Sequence, residues 1–543
     1  MCLGKWCFVS ATVGPEREAR GTDRPGPSWL ALACALLIGS LVRVSYVLPR
    51  DFPLTDGGLF YLMIQELQDA RYALPACTSY NGAGIPFAYP PLGLYLAGLL
   101  DEIGPWSLLD VLRYLPLVAN LLSIPAFHAL SRDLLPPRAA IFATFAFALL
   151  PGSFTWQIMG GGVTRSPGFT FAILAIWQVH RLYTRGGRRH LVAAVALSGA
   201  AALSHLAMGW LVAVSAGLLF LAYGRSRAGV GRSLLVGAST LAVTAPWWVT
   251  VLARHGLGPF LAAGRSPEPA LAGLASLLML SLTDEALFPL LGALALVGVV
   301  ACLGQRRLLL PGWLAAAFLL DPRTARTTAT LPLALLAGVA VAEVLAGLEA
   351  CSTNQASSKK PGLSSLSGHL LAFLLVYASV SAVLAVLPLV QGLSAEERQA
   401  MAWVAGHTPE GSTFLVITGD RMWGGDRTSE WFPVLARRVS LATVQGTEWL
   451  PGFAARARRY IALQRCATQD AACLERWVQQ AGVTFSHVYV AKRPPVARGA
   501  SADCCTGLLS ALACDSRYRL VYDGPGASVY RRQQAVAPGG PGR

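Results

Sequence analysis

Charge is what this sequence has least of. Only 13% of its 543 residues are Asp, Glu, Lys or Arg, about half the roughly 25% of an ordinary soluble domain. Hydrophobic residues make up 54%, and the mean hydropathy is +0.50. That excludes a soluble globular chain and leaves an integral membrane protein. Other absences narrow the reading. The stretch "MCLGKWCFVSATVGPEREARGTDRPGPSW" has no early apolar core followed by a small-residue cleavage site, so residues 1–28 read as a disordered cytoplasmic tail rather than a removable leader. Five of the 11 cysteines (Cys466, Cys473, Cys504, Cys505, Cys514) fall near the C-terminus, none in the CxxC spacing of a zinc ribbon, which fits an oxidising compartment for that region. No internal repeat is evident, which counts against an inverted-repeat transporter.

Long apolar runs are abundant. Those near the roughly 20 residues of a span lie at about 29–48, 111–131, 139–154, 167–184, 190–205, 207–223, 232–252, 286–303, 307–320, 325–347 and 367–391, about eleven in all. The piece "PPLGLYLAGLL" gives only 11 apolar residues before Asp101 and Glu102, so it is read as an interfacial helix that does not cross. With the N-terminus inside, the basic loops "SRDLLPPR", "RLYTRGGRRH", "YGRSRAGVGR", "GQRR" and the Ser-rich linker ending "SSKK" all fall on the cytoplasmic side. The formal net charge of +15 therefore orients the chain in the bilayer, and nucleic acid is excluded as a partner. An odd number of spans puts residues 392–543 outside, where "STFLVITG", "VTFSHVYV" and "YRLVYDG" alternate with the helix-like "AEERQAMAWVAG" and "AARARRYIALQR". The expected fold is thus a polytopic α-helical membrane protein, residues 29–391, followed by an extracytoplasmic α/β domain.

On this topology residues 49–110 form a long first external loop beginning near Asp56. A carboxylate at the membrane surface, in "LTDGGLFY", is suited to take a proton from a hydroxyl; equally, Asp is a common helix cap, and "LFYLMIQELQDA" follows it. The order of apolar span, acid with nearby Tyr61, amphipathic segment and "YPPL" before a short apolar helix resembles the first external loop of the C-type (GT-C) membrane glycosyltransferases. The likeness is to the branch of protein O-mannosyltransferases and lipid A aminoarabinose transferases (glycosyltransferase family 39-like), and it spans roughly residues 29–350. It implies an essential first-loop acid, here Asp56, a substrate-contacting motif at Tyr89, Pro90, Pro91 and Leu92, and a polyprenyl-phosphate sugar donor at the outer face. Two departures stand out: Gly57 occupies the place of a second acid, and Tyr89 that of the motif lysine. The stretch "LLPGSFTWQIMGGGVTRSPGFTF" resembles the second external loop of oligosaccharyltransferase catalytic subunits, without the acid found there.

The expected reaction is inverting transfer of a sugar, hexosyl or pentosyl, to an extracytoplasmic glycan, lipid or protein acceptor, with Asp56 as general base. Arg165, Arg323 and Arg326 are external cations suited to the departing phosphate or to lipid headgroups. Asp321 is a candidate to orient Arg323. His205 sits at an outer span end, where it either contacts substrate or serves as a turn residue, and Arg113, near the start of the second span, is open in the same way; Glu66 and Asp69 are read as a solvated face. Glu430-Trp431 and Glu448-Trp449 repeat an acid–aromatic pair that suits a sugar face or a membrane surface. A divalent metal is compatible with this reading but not required by it. The rival reading is a transporter or lipid-linked-sugar flippase in which Asp56 binds cargo; it would place ionisable groups inside the spans, where Arg43 is the one evident charge.

Overall fold

The computed structural model describes residues 28–264, 270–354, 363–387, 391–492 and 504–533. The N-terminal tail and residues 355–362 of the Ser-rich linker lie outside the described residues. Among the described residues, sixteen α-helices precede the C-terminal region: α1 Ser28–Val47, α2 Gly58–Asp69, α3 Leu92–Ile103, α4 Leu108–Leu134, α5 Pro137–Leu149, α6 Gly162–Thr184, α7 Arg188–Ser204, α8 Leu206–Tyr223, α9 Arg227–His255, α10 Gly258–Gly264, α11 Ala270–Leu278, α12 Leu290–Gly304, α13 Leu309–Leu320, α14 Ala325–Thr328, α15 Thr330–Asn354 and α16 Leu363–Val386. Each of the eleven expected runs holds a helix. Among the described residues, six helices are long and apolar enough to cross a bilayer by length and composition, and three shorter apolar ones (Pro137–Leu149, Leu290–Gly304, Leu309–Leu320) accompany them. This is a multi-pass membrane protein. The third run stops early because Leu150 precedes Pro151; it leaves the helical region, and a 3₁₀ turn follows. Helix α3 has 12 residues, about 18 Å at 1.5 Å per residue, well short of a roughly 30 Å core; it packs on α2, α4 and α6 instead of lengthening.

The bundle interior is built by α6 against α4 and α7 and by α15 against α5 and α12. Arg43, fully buried on α1, is held without a carboxylate: its Nε donates to Asn120 Oδ1 (2.6 Å), Nη1 to the Gly39 and Ala148 carbonyls (2.9 and 2.8 Å) and Nη2 to Ser153 Oγ (3.2 Å), while the guanidinium lies over the Phe154 ring. With four of its five donors engaged, this cation is a tie between α1, α4 and the end of α5. The two ends of the bundle differ. At one end the basic loops meet: Asp133 pairs with Arg181 and Arg185, Arg138 with Glu349, and Arg232 donates to the Leu182 carbonyl. At the other end the first loop, the turn at 150–161, His205 and the segments 256–264 and 321–329 gather under the C-terminal region.

That region is three-layered. Two short strands in the first loop, β1 Cys77–Thr78 and β2 Ile85–Pro86, pair antiparallel. The main sheet has strands β3 Thr413–Ile417, β4 Val439–Ser440, β5 His487–Ala491, β6 Tyr518–Asp523 and β7 Ala527–Arg532 in the order β4-β3-β5-β7-β6, with β3 parallel to β4 and β5 and the rest antiparallel. Alternation along β3 and β5 sends Leu415, Ile417, Val488 and Val490 to one face, under helices α19 Phe453–Gln464, α20 Ala471–Ala481 and α21 Thr506–Cys514. Phe414, Val416 and Tyr489 go to the other, against α17 Ala395–His407 and α18 Arg427–Leu435. Disulfides Cys466–Cys473 and Cys504–Cys505 take four of the five expected cysteines, and Cys514 is free.

The α18 layer rests on the first loop. Asn81 and Ser440 exchange two hydrogen bonds (2.8 and 2.7 Å), Tyr80 Oη donates to the Glu430 carbonyl (2.6 Å), and Phe52 and Tyr61 pack on the buried Trp431.

Candidate active site

Asp56 sits in a short extended segment after α1, immediately before α2. The apolar positions Leu59, Phe60, Met63, Ile64 and Leu67 give α2 one buried face, and Gly57 occupies its N-cap without a side-chain bond. Asp56 does not cap this helix. Its carboxylate turns the other way, with Oδ1 accepting the Gly161 N–H (2.7 Å) and Oδ2 accepting from Arg165 Nη2 (2.8 Å). Arg165 is itself fixed by donating Nε to the Trp156 carbonyl (3.0 Å). Each carboxylate oxygen still has a free lone-pair direction, so the group can accept a further proton or hydrogen bond.

The glycines of "MGGGVT" admit this carboxylate. A Cβ on Gly161 would lie 2.5 Å from Asp56 Oδ2 and 3.0 Å from Arg165 Nη2. Gly57 explains its own identity: φ is +125°, and a Cβ would meet the Gly160 backbone at 3.1 Å, so no acid can stand there. A second carboxylate arrives from elsewhere. Glu430, on α18, accepts the Gly57 N–H at 2.9 Å.

The remaining expected residues fall around this point as follows. Tyr89 is edge-on to His205, Trp449 and Phe60, with Thr164 Oγ1 3.5 Å from its hydroxyl; burial pushes its phenol up to about 12, so it stays neutral. Pro90 and Pro91 are buried, Pro91 being the N-cap of α3. Tyr61 faces Trp431 and accepts from Gln65. His205 lies between α7 and α8 with Nδ1 unpartnered. Arg326 is taken by an ion pair with Asp284, and Asp321 accepts from Thr324 Oγ1 rather than orienting Arg323. Arg323 is exposed and reaches only the Ala263 carbonyl (3.3 Å); among the described residues it has no carboxylate within ion-pair distance. Arg113 pairs with Asp110, and Glu66 accepts from Ser79.

No protein-family model matches the chain, and no curated protein sequence does either. Solved structures do match. ArnT from Cupriavidus metallidurans, solved with undecaprenyl phosphate, aligns with a TM-score of 0.53 at 14% identity, over 94% of this chain and 99% of that one. The oligosaccharyltransferase AglB from Archaeoglobus fulgidus, in complex with an inhibitory peptide and a dolichol-phosphate, aligns at 0.53 and 15% identity over 86% and 69%. The arabinofuranosyltransferase AftD from mycobacteria aligns at 0.55 and 15% identity over 94% and 40%. The chain has the GT-C fold.

Within this fold, the C-terminal region supplies what reasoning from the loops misses. Burial and the nearby Asp56 push the Glu430 carboxyl up to about 8; burial pushes Glu448 up to about 7, with Arg323 pulling the other way. The repeated Glu-Trp pair was the available signal for both. Asp426, pushed up to about 6 by burial, caps α18 through the Ser429 amide and holds the helix that carries Glu430. Among the described residues no three His, Cys, Asp or Glu side chains converge as a metal site, and a guanidinium plus an amide N–H is a poor setting for Asp56 to hold a divalent cation.

The raised carboxyls carry a pH prediction. Glu430 and Glu448 bind protons more tightly in the folded chain than the ordinary value of 4.5, so stability they contribute is fully present below that value and is lost as pH rises to about 7 and 8. The apparent melting temperature in detergent is expected to fall from pH 5 to 8, and Glu430→Gln to flatten that slope.

Proposed function

We propose that the chain transfers a sugar from a polyprenyl-phosphate donor to an extracytoplasmic acceptor. The observation that carries this reading is a buried Asp56 carboxylate, held by Arg165 and the Gly161 amide, at the end of a GT-C bundle where the loops converge. The acceptor oxygen or nitrogen attacks the anomeric carbon, its proton passes to Asp56, and the bond from that carbon to the phosphate oxygen breaks with inversion as polyprenyl phosphate departs. ArnT and AglB, with their undecaprenyl phosphate and dolichol-phosphate, support the donor class. Two disulfides in the C-terminal region and the segregation of basic loops to the opposite end support that region and Asp56 lying on the extracytoplasmic side. Arg165 serves Asp56 and Arg326 serves Asp284, which leaves Arg323 as the cation for the leaving phosphate, near His205 and Glu448. The transporter reading gains nothing from the bundle's buried charge, since four of the five donors of Arg43 are engaged within the protein.

The test is turnover of a panel of short synthetic polyprenyl-phosphate hexoses and pentoses by the detergent-solubilised protein, read as release of polyprenyl phosphate. Turnover of none of them, with a melting curve that proves the protein folded, overturns the reading. Arg323→Ala is expected to slow the active donor by roughly tenfold to a hundredfold, the scale of a charge-assisted hydrogen bond of about 1.5–3 kcal/mol. Arg323→Lys should fall between, keeping charge but losing the two-pronged contact. An Ala variant within twofold of wild type removes Arg323 from the mechanism.

A further inference from the structure

The first turn of a helix leaves its amides without intrahelical partners, and something must accept them. For α2 the residue in the capping position is Gly57, which has no side chain to do so, and Asp56 is committed to Gly161 and Arg165. The acceptor is Glu430, 373 residues later in the chain, which receives the Gly57 amide at 2.9 Å. The contact is tightly enclosed: Glu430 is 4% exposed, and a Cβ on Gly58 would lie 2.9 Å from the Glu430 carbonyl oxygen. Gly57 shares a peptide bond with Asp56, so fixing the amide of Gly57 fixes the plane from which the Asp56 side chain departs.

We propose that Glu430 is a positioning residue for Asp56, supplied from the C-terminal region, and that the site is incomplete without it. This rests on Asp56 being the reacting base. Helix α18 is built to deliver Glu430: Asp426 caps it, Tyr80 Oη holds the Glu430 carbonyl, and the neighbouring Trp431 is locked between Phe52 and Tyr61. The charged groups facing the carboxyl are Asp56 and Arg165. From the other elements packed on α18, Glu397 of α17 accepts from Thr428 and lies 3.9 Å from Arg427, and the Tyr80 phenol is held well above its ordinary range by burial. The acid neighbour Asp56 raises Glu430, so the two groups sense each other's charge, a link that a purely structural cap would lack.

Hydrogen exchange of the full-length protein in detergent, followed on peptides spanning 54–61, tests this without a substrate. Glu430→Ala leaves the Gly57 amide without its acceptor; exchange there is expected to quicken about tenfold, with α18 and the rest of α2 unchanged. The protection, corrected for intrinsic rate, should titrate with a midpoint that moves lower in Asp56→Asn, because removing that charge eases ionisation of Glu430. In the donor-turnover assay, Glu430→Ala should lower kcat at least tenfold with KM within twofold, and Glu430→Gln, which keeps an acceptor oxygen, should recover part of it. Unaltered exchange, an unmoved midpoint, or wild-type kcat beside an inactive Asp56→Asn each overturn the inference alone. A fully active Asp56→Asn instead sinks the base assignment. If no donor in the panel turns over, the exchange and midpoint results decide.

Discussion

Asp56→Asn is expected to lower turnover of the polyprenyl-phosphate donor by at least about a hundredfold, the lower end of what a general base contributes. Asn keeps the acceptor oxygen for the Gly161 amide, so the loop geometry at 2.7 Å has no reason to move. It removes the charge that pairs with Arg165 and the basic site for the acceptor's proton. Leaving Arg165 without its carboxylate is costly in a mostly buried setting, about 3–5 kcal/mol for a fully buried pair and less here. Donor binding and melting temperature therefore have to be measured beside kcat. A variant that binds donor, stays folded and does not turn over identifies the base; one that turns over at the wild-type rate removes Asp56 from the chemistry.

A comparable loss is expected from a residue that touches no substrate. In Gly161→Ala the new methyl would lie 2.5 Å from Asp56 Oδ2, and the neighbouring Arg165 Nη2 is 3.0 Å away, so neither member of the pair can stay in place. A displacement of about 1 Å at a reacting group costs on the order of a hundredfold in rate. Gly217→Ala is the control, since a Cβ there meets nothing within 4 Å and Ala is the better helix residue by about 1 kcal/mol. Equal activity in both variants would mean that the triple-glycine turn does not cradle the carboxylate.

Much of the architecture is legible because it follows from hydropathy and from the period of two in strands. The apolar runs, the short α3 and the strands at 413–417, 487–491 and 518–523 all announce themselves locally. Strand β7 is not evident beforehand because "ASVYRR" has too few apolar residues; it is strand because β5 and β6 need a partner between them. The site is less legible for a topological reason. Asp56 and Arg165 are each conspicuous in the sequence, but 109 residues separate them, and nothing local joins them. Glu430 is farther still, and its carboxyl gives no sign of whom it caps. The capping role expected of Asp56 is real chemistry assigned to the wrong acid, because the helix N-terminus takes its acceptor from another layer of the fold.

Chain order also sets a timetable for assembly. The first loop leaves the ribosome about 350 residues ahead of the segment that holds it, as the separations of Tyr80–Glu430 and Asn81–Ser440 record (350 and 359). At roughly 5–20 residues per second the delay is on the order of 20–70 s. Throughout it the Gly57 amide at the start of α2 is without its Glu430 acceptor. A nascent chain halted after α16 would hold every helix of the bundle and still lack Glu430, the acceptor of the Gly57 amide.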